Sequence, residues 1–185
     1  MTKKKIIFIT SIIILLIFLS IILLGFIYLK ITFKTKYKNI IEENLNTITI
    51  NNSALNTNLI LSIIKQESKF NLNAKSSKDA FGLMQLTFPT AQEVAQKLNL
   101  EITLQDLFKP EINIKLGINY LNYLFTIFND KDLVILSYNA GFNKVKTWQS
   151  SGELKKINGV YQTPYKETNT YIKKVILNEK IYNFL

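Results

Sequence analysis

The stretch Ser62-Ile-Ile-Lys-Gln-Glu67-Ser-Lys-Phe-Asn71 ends an apolar helical stripe with a single carboxylate. Before Glu67, apolar residues recur at spacings of three and four, which marks the buried face of a helix. They are Leu59, Ile60, Ile63 and Ile64. Burial removes water from a carboxylate and raises its pKa, and a general acid needs a raised pKa to hold a proton near neutral pH. The alternative is that Glu67 ends the helix and points to water.

Three further segments have recognisable helix boundaries. The stretch Thr90-Ala-Gln-Glu93 has the capping-box pattern, in which a hydroxyl and a carboxylate each bind a free amide at the start of a helix. Pro110 fits the first turn of a helix that runs to about Phe128. Asp132 is expected to cap a segment that stops at Ala140-Gly141. These signals extend the helical pattern well beyond Glu67.

The C-terminal part of the chain continues the same pattern. Pro164 lies near the start of a last helix, and Asn158-Gly159 fits the turn of a small hairpin. Sustained alternation of apolar and polar residues, which is typical of longer strands, is missing. The sequence therefore predicts an all-α, mainly helical fold.

The N-terminal region contains a long apolar segment. Residues 6–29 have no charged side chain, and 24 residues at about 1.5 Å each make a helix of roughly 36 Å, enough to cross a bilayer. A cleaved signal would have a shorter apolar region and a small-residue cleavage site, so an uncleaved membrane anchor is favoured. Lysines flank both ends, so charge does not decide the orientation. These lysines are Lys3, Lys4, Lys5, Lys30, Lys34, Lys36 and Lys38.

These observations divide the chain into four parts. Residues 1–5 are expected to form a cytoplasmic N-terminus, and residues 6–29 are expected to form the transmembrane anchor. Residues 30–55 are polar and Asn-rich, and they are expected to form a juxtamembrane linker with a short helix near residues 39–45. Residues 56–185 form the folded domain, and the length of the chain favours a single core there.

The charge distribution argues against a nucleic-acid partner. The net charge is +10, but residues 1–38 hold seven lysines and no acid, while residues 39–185 hold sixteen lysines and thirteen acids. All 23 basic residues are lysines, whereas sites that read bases or grip phosphates usually use arginine. Without cysteine and histidine, the chain has no thiolate nucleophile, no Ser-His-Asp triad and no ordinary zinc site. We expect no metal and no cofactor.

Three motifs occur in an order that is typical of one enzyme family. Glu67-Ser-Lys-Phe-Asn leads into Ala74-Lys-Ser-Ser-Lys-Asp-Ala-Phe-Gly82-Leu-Met-Gln85, which is followed by Ser137-Tyr-Asn-Ala-Gly141 and Glu167-Thr-x-x-Tyr171. Together they resemble the signature of soluble lytic transglycosylases and goose-type lysozymes. The resemblance covers roughly residues 57–177 and implies a helical, lysozyme-like fold. It also implies cleavage of the β-1,4 bond between N-acetylmuramic acid and N-acetylglucosamine in peptidoglycan.

The resemblance implies a role for Glu67 as the catalytic acid and for six residues as substrate-binding. Those six are Ser76, Met84, Gln85, Tyr138, Asn139 and Glu167. Ser76 and Gln85 would line the cleft near the acid, with Met84 at its wall, and Tyr138 would help to hold the catalytic carboxyl.

Each of these residues also has a purely structural interpretation. Met84 and Tyr138 could be core residues, and Ser76 could belong only to a turn. Asn139 could end a helix, and Glu167 could be a first-turn acid that complements the helix dipole.

Two positions depart from the family pattern. Thr87 replaces a common methionine, a change that could alter a sugar contact without touching the acid. Asp79 stands where the family more often has glycine, but aspartate tolerates the left-handed backbone conformation, so the turn is expected to survive. Asp79 is also the nearest candidate in sequence for a second carboxylate, although its place in the turn argues against that role.

The resemblance implies a mechanism with one carboxylate. Glu67 would protonate the leaving oxygen, the 2-acetamido group of the muramic acid would stabilise the cation, and Glu67 would then act as the base that forms a 1,6-anhydro product. The predicted partners are peptidoglycan strands and the cytoplasmic membrane, crossed once, with the catalytic domain outside. Two alternatives are a hydrolytic lysozyme and a non-catalytic glycan-binding scaffold. A holin-like membrane protein would not explain the patterned residues after the anchor.

Overall fold

The computed structural model describes residues 3–33 and 35–185. The chain divides into two compact units, with the boundary between residues 34 and 35. Residues 1 and 2 of the predicted N-terminal segment, and Lys34 among the flanking lysines, lie outside the described residues.

The first unit contains one helix, α1, from Lys3 to Thr32. Within it, Phe8–Ile31 spans 24 residues with a mean hydropathy of 3.2, and none of that span is buried in protein. A helix of this length and composition is compatible with crossing a bilayer. The number of crossings and the orientation remain predictions.

The second unit is mainly helical, as the sequence predicts. Its described elements are α2 (Lys38–Thr47), α3 (Thr57–Ser68), β1 (Ala80–Phe81), β2 (Leu86–Thr87), α4 (Phe88–Lys97), a 3-10 helix (Leu104–Phe108), α5 (Pro110–Phe128), α6 (Lys131–Ala140), α7 (Phe142–Ser150), β3 (Lys155–Ile157), β4 (Val160–Gln162) and α8 (Lys166–Phe184). The predicted helix from Pro110 to Phe128 is confirmed at both ends.

The strands form two short antiparallel hairpins. In the first, Ala80 pairs with Thr87 and Phe81 pairs with Leu86. In the second, β3 and β4 are joined by Asn158-Gly159, whose φ angles are 51° and 80°. Positive φ at both central residues is typical of a tight two-residue hairpin turn, so the predicted turn is confirmed.

Two predicted helix caps are wrong. Thr87, not Thr90, is the N-cap of α4, because Pro89 occupies the first turn and its fixed φ suits that position. Asp130, not Asp132, caps α6, and its Oδ1 accepts hydrogen bonds from the backbone amides of Asp132 and Leu133 at 2.9 and 3.1 Å. Asp130 and Asp132 both have side chains that suit an N-cap, so the path of the backbone decides which of them lies at that position.

The folded unit begins before the predicted domain boundary at residue 56. Helix α2 lies within the predicted linker of residues 30–55, and it packs against α3 and α5. Ile41 and Leu45, one turn apart, are buried there, and so is Leu55 in the following loop. Asn51 extends this contact, since its side chain donates a hydrogen bond to Asn122 of α5 at 3.1 Å. Much of the predicted linker therefore belongs to the core.

Helix α3 packs against α8 and α2. Its predicted apolar stripe is buried, and Leu59, Ile60, Ile63 and Ile64 have essentially no exposed surface. Helix α6 packs against α5, α7 and α8. The C-terminal end of α3, the C-terminal end of α6 and the N-terminal half of α8 contribute the residues of the site described next.

Candidate active site

Glu67 lies in the last turn of α3. Asn56 starts this helix by accepting a hydrogen bond from the Leu59 amide at 3.0 Å. Lys69 ends it in the left-handed conformation, with its amide bonded to the Lys65 carbonyl. The buried stripe of α3 thus carries Glu67 to the edge of the core, where its side chain is half-buried.

The Glu67 carboxyl accepts a hydrogen bond from a phenol. The hydroxyl of Tyr171, a buried residue of α8, donates a hydrogen bond of 2.6 Å to Glu67 Oε1. Burial raises the pKa of Glu67 to about 7, against the opposing effects of the Tyr171 bond and the charge of Lys78. A pKa near neutrality suits a group that both donates and accepts protons.

Glu67 borders a cavity of about 470 Å³. This volume is within the usual range for small-molecule sites. Helices α3, α6 and α8 supply its walls, which are lined by Gln66, Glu67, Asn139, Lys166, Glu167, Thr170, Tyr171 and Lys174. Of the predicted site residues, Asn139 and Glu167 therefore lie beside the same cavity as Glu67. Glu167 is mostly exposed, and its carboxylate pairs with Lys78 Nζ at 3.3 Å.

The structure gives the Tyr138 hydroxyl a partner other than the Glu67 carboxyl, and the predicted role of Tyr138 stays a prediction. The Tyr138 hydroxyl donates its hydrogen bond to the backbone carbonyl of Met84 at 2.7 Å, while its ring packs against Tyr120 at a centroid distance of 5.6 Å. Tyr138 is still near enough for the charge of Glu67 to help raise its pKa well above the ordinary value, after the larger effect of burial. Tyr171 makes the contact that the resemblance assigned to Tyr138.

Tyr171 is the partner of Glu67 that sequence reasoning missed. Tyr171 ends the Glu167-Thr-x-x-Tyr171 motif. Side chains four positions apart on a helix lie on the same face. That spacing puts Tyr171 on the Glu167 side of α8, facing the cavity. The motif contained the signal, but only the packing of α3 on α8 shows which side chain the phenol meets.

The comparison with known proteins gives the family. The model of the transglycosylase SLT domain matches residues 44–160, which is more than half of the chain. The chain belongs to the SLT transglycosylase domain family. The match includes Glu67, the β1–β2 hairpin and Tyr138, whereas Tyr171 lies beyond its end.

Members of this family occur in soluble and membrane-bound proteins. The soluble lytic murein transglycosylase of Escherichia coli is 33% identical over 129 residues, covering 67% of this chain and 20% of that protein. The membrane-bound lytic murein transglycosylase C of Serratia proteamaculans is 38% identical over 148 residues, covering 67% of this chain and 41% of that protein. The chain therefore spans less than half of the length of either relative.

A solved structure shows the same fold. The crystal structure of the 70 kDa soluble lytic transglycosylase from Escherichia coli superimposes with a TM-score of 0.72 at 28% sequence identity. The superposition covers 82% of this chain and 25% of that protein. The lysozyme-like helical fold that the motifs imply is therefore confirmed.

Met84 does not line the cavity beside Glu67, and its predicted position at the wall of the cleft stays a prediction. Its side chain is fully buried and packs against Gly117 of α5, where an added Cβ would overlap the Met84 sulfur. Its amide donates a hydrogen bond of 2.8 Å to the buried Asn113, whose own amide group binds the carbonyls of Phe81 and Leu107. Met84 is a core residue that anchors the hairpin, because the small Gly117 leaves room for it.

Gln85 and Ser76 hold the loop around the hairpin. The Gln85 side chain donates hydrogen bonds to the carbonyls of Ala74 and Gly82 at 3.1 and 2.9 Å. The Ser76 hydroxyl accepts from the amides of Lys78 and Ala80 at 3.2 and 3.1 Å. Neither residue lines the cavity beside Glu67. Their predicted contact with substrate remains a prediction, and the structure shows a turn-forming role for both.

The turn at Asp79 survives the loss of glycine. Asp79 has a φ of 52°, in the left-handed region that aspartate tolerates. Its carboxylate is mostly exposed and pairs with Lys75 at 3.6 Å, so it does not share the buried environment of Glu67. Among residues 3–33 and 35–185, no three acidic side chains group as metal ligands would.

Proposed function

We propose that the protein cleaves the β-1,4 bond between N-acetylmuramic acid and N-acetylglucosamine in peptidoglycan as a lytic transglycosylase. The observation that carries this proposal is the half-buried Glu67, which accepts a hydrogen bond from Tyr171 at 2.6 Å beside the cavity of about 470 Å³. The match of the chain to the SLT domain and the names of its relatives support the same activity.

In the first step Glu67 acts as an acid. The protonated carboxyl gives its proton to the bridging oxygen as the bond from that oxygen to C1 of the muramic acid breaks. The 2-acetamido oxygen of the same sugar bonds to C1 and takes up the positive charge. Glu67 is left as a carboxylate, and the Tyr171 hydroxyl stabilises that charge through its hydrogen bond.

In the second step Glu67 acts as a base. Its carboxylate removes the proton from the 6-hydroxyl of the muramic acid, and O6 attacks C1 as the bond from the acetamido oxygen breaks. The product is a 1,6-anhydro sugar, and Glu67 is protonated again. No water is consumed, and a pKa of about 7 serves both directions of proton transfer.

The arrangement of acids favours this mechanism over the usual glycosidase mechanism. A glycosidase needs a second carboxylate about 5 to 10 Å from the first. The other acid that lines the cavity, Glu167, is exposed and paired with Lys78, and Asp79 is exposed and paired with Lys75. The substrate's own acetamido group therefore takes the role of the second carboxylate.

We further propose that α1 anchors the protein in the cytoplasmic membrane with a single crossing. Peptidoglycan lies outside that membrane, so the second unit would lie outside it as well. The apolar span Phe8–Ile31 supports the anchor, and the Serratia relative is named as membrane-bound.

The full-length protein in detergent, incubated with purified cell wall, tests the activity. Mass spectrometry of the released fragments should show 1,6-anhydro ends. Glu67→Gln should lower release by roughly a thousandfold, the scale expected for the loss of general acid–base catalysis. Glu101→Gln, the same change at an exposed residue outside the cavity, is the matched control and should leave release unchanged.

Two results would contradict the proposed activity and indicate a different function. Reducing ends in place of anhydro ends would make the protein a hydrolytic lysozyme. Binding to cell wall with no release by the unmodified protein would make it a glycan-binding scaffold.

A further inference from the structure

Two lysines in the cavity have no acidic partner among the residues that the structure describes. Lys166 and Lys174 line the cavity together with Glu67 and Glu167. Glu167 is already paired with Lys78, and Glu67 is neutral when it is ready to donate its proton. None of the ion pairs found in residues 3–33 and 35–185 includes Lys166 or Lys174. The wall that α8 contributes is therefore positively charged when the enzyme is ready to act.

The two lysines lie on one face of α8. Lys166, Thr170 and Lys174 are four residues apart in turn, and all three line the cavity. Eight residues of helix separate the two lysines by about 12 Å along the axis. A substrate group that lies along α8 would meet both positive charges.

The position of Lys166 is unfavourable for the helix itself. It is the first residue of α8, where the helix dipole favours acids and disfavours cations. A residue choice that opposes local structure is expected mainly at functional sites. A lysine added to the positive end of a helix strengthens the attraction of that end for an anion.

We propose that Lys166 and Lys174 bind carboxylates of the peptide stems that muramic acid carries. This inference rests on the proposed function for the identity of the substrate. The stems project from the glycan and bear free carboxylates, so they are the anions that a peptidoglycan strand brings to this wall. Lysine acts as a point charge on a flexible chain, which suits a flexible stem better than a fixed geometry would. The enzyme then prefers strands whose stem carboxylates are free.

Binding to an inactive enzyme tests this preference directly. The full-length Glu67→Gln variant in detergent is titrated with soluble glycan oligomers that carry peptide stems, and with the same oligomers after their carboxylates are amidated with methylamine. Calorimetry should show roughly tenfold weaker binding of the amidated oligomers, since each exposed charge pair is expected to contribute about threefold.

Substitutions of the two lysines test whether the preference for free carboxylates comes from the cavity wall. In the Glu67→Gln background, Lys166→Gln with Lys174→Gln should bind the unmodified oligomers roughly tenfold more weakly and should no longer distinguish the two oligomers. Lys166→Arg with Lys174→Arg keeps the charges and should restore the preference. Lys173→Gln is the matched control, because this exposed lysine of α8 does not line the cavity.

Two results would overturn the inference. One is equal binding of the two oligomers, and the other is an equal loss of affinity in Lys173→Gln and in the cavity variants. Release of anhydro ends by the unmodified protein is measured separately. A failure of that release would refute the proposed activity and leave the measured carboxylate preference in place.

Discussion

A buried and a half-buried glutamate of the second unit have different partners. Glu179 of α8 is 6% exposed and pairs with Lys131 Nζ at 2.7 Å, whereas Glu67 of α3 has the phenol of Tyr171 as its bonded partner at 2.6 Å. A lysine stabilises the charged form of a buried carboxylate. A phenol offers one hydrogen bond and no full charge, so burial prevails and the pKa of Glu67 rises to about 7. The two carboxyls therefore differ in the partner that meets each of them, a cation at Glu179 and a neutral phenol at Glu67.

The largest expected effect on stability comes from the titration of Glu67. Its pKa is about 7 in the folded protein and about 4.5 in the unfolded chain, so the folded state binds more protons between these values. The free energy of unfolding should therefore fall as the pH rises from about 5 to 7, by at most about 3 kcal/mol, and should level off above that. Urea unfolding of the full-length protein at pH 5 and pH 8 measures this change.

Glu67→Gln isolates the contribution of this one carboxyl from the other acids. The variant should lack the pH-dependent loss, and it should be more stable than the unmodified protein at pH 8. An identical pH dependence in the two proteins would show that Glu67 is not the buried acid described here.

Breaking the pair at Glu179 should destabilise the protein without changing its chemistry. Lys131→Met removes the cation and leaves the buried carboxylate of Glu179 without a partner. The free energy of unfolding should fall by about 2 kcal/mol, a moderate loss because Lys131 is partly exposed. Glu179→Gln removes the charge itself and should cost less. Urea midpoints measure both effects, and release of cell-wall fragments per folded molecule should stay constant. A fall in that specific activity would contradict the division into structural and catalytic acids.

The smallest expected effect is on the pH–rate profile, and it distinguishes the role of Tyr171 from that of Tyr138. Tyr171→Phe removes the hydrogen bond that lowers the pKa of Glu67, so that pKa should rise above 7. The alkaline limb of the pH–rate profile should move to higher pH, and the maximal rate should fall by about tenfold because the carboxyl is less well positioned. Profiles between pH 5 and pH 9 give both quantities.

Tyr138→Phe is the matched control for this change. It removes the bond to the Met84 carbonyl and leaves the Glu67 contact intact, so the alkaline limb should stay in place. Equal shifts in the two variants would return Tyr138 to the role that the resemblance implied.

The sequence predicted features that depend on neighbours along the chain. The stripe from Leu59 to Ile64 gives the buried face of α3, and Pro110 gives the start of α5, because periodicity and helix caps are local signals. The hairpin at Asn158-Gly159 follows from the backbone preferences of these two residues. The lone acid at Glu67 was also found locally, since it ends that stripe.

The features that sequence reasoning missed depend on contacts between distant segments. The phenol that meets Glu67 belongs to a residue 104 positions away, and no local pattern distinguishes Tyr171 from Tyr138 as its source. Met84 is buried because Gly117 of α5 leaves space for its sulfur. Helix α2 belongs to the core because two apolar residues in an Asn-rich segment meet α3 and α5. These contacts are set by tertiary packing, which overrides weak local signals.

A pKa of about 7 at Glu67 would make the proposed cleavage of cell wall depend on the pH around the protein. With a pKa of about 7, the fraction of molecules ready to donate a proton rises roughly fivefold when the surroundings change from pH 8 to pH 7. If the proposed activity and orientation hold, a more acidic cell surface would speed cell-wall cleavage by this protein, and alkaline surroundings would slow it without any inhibitor.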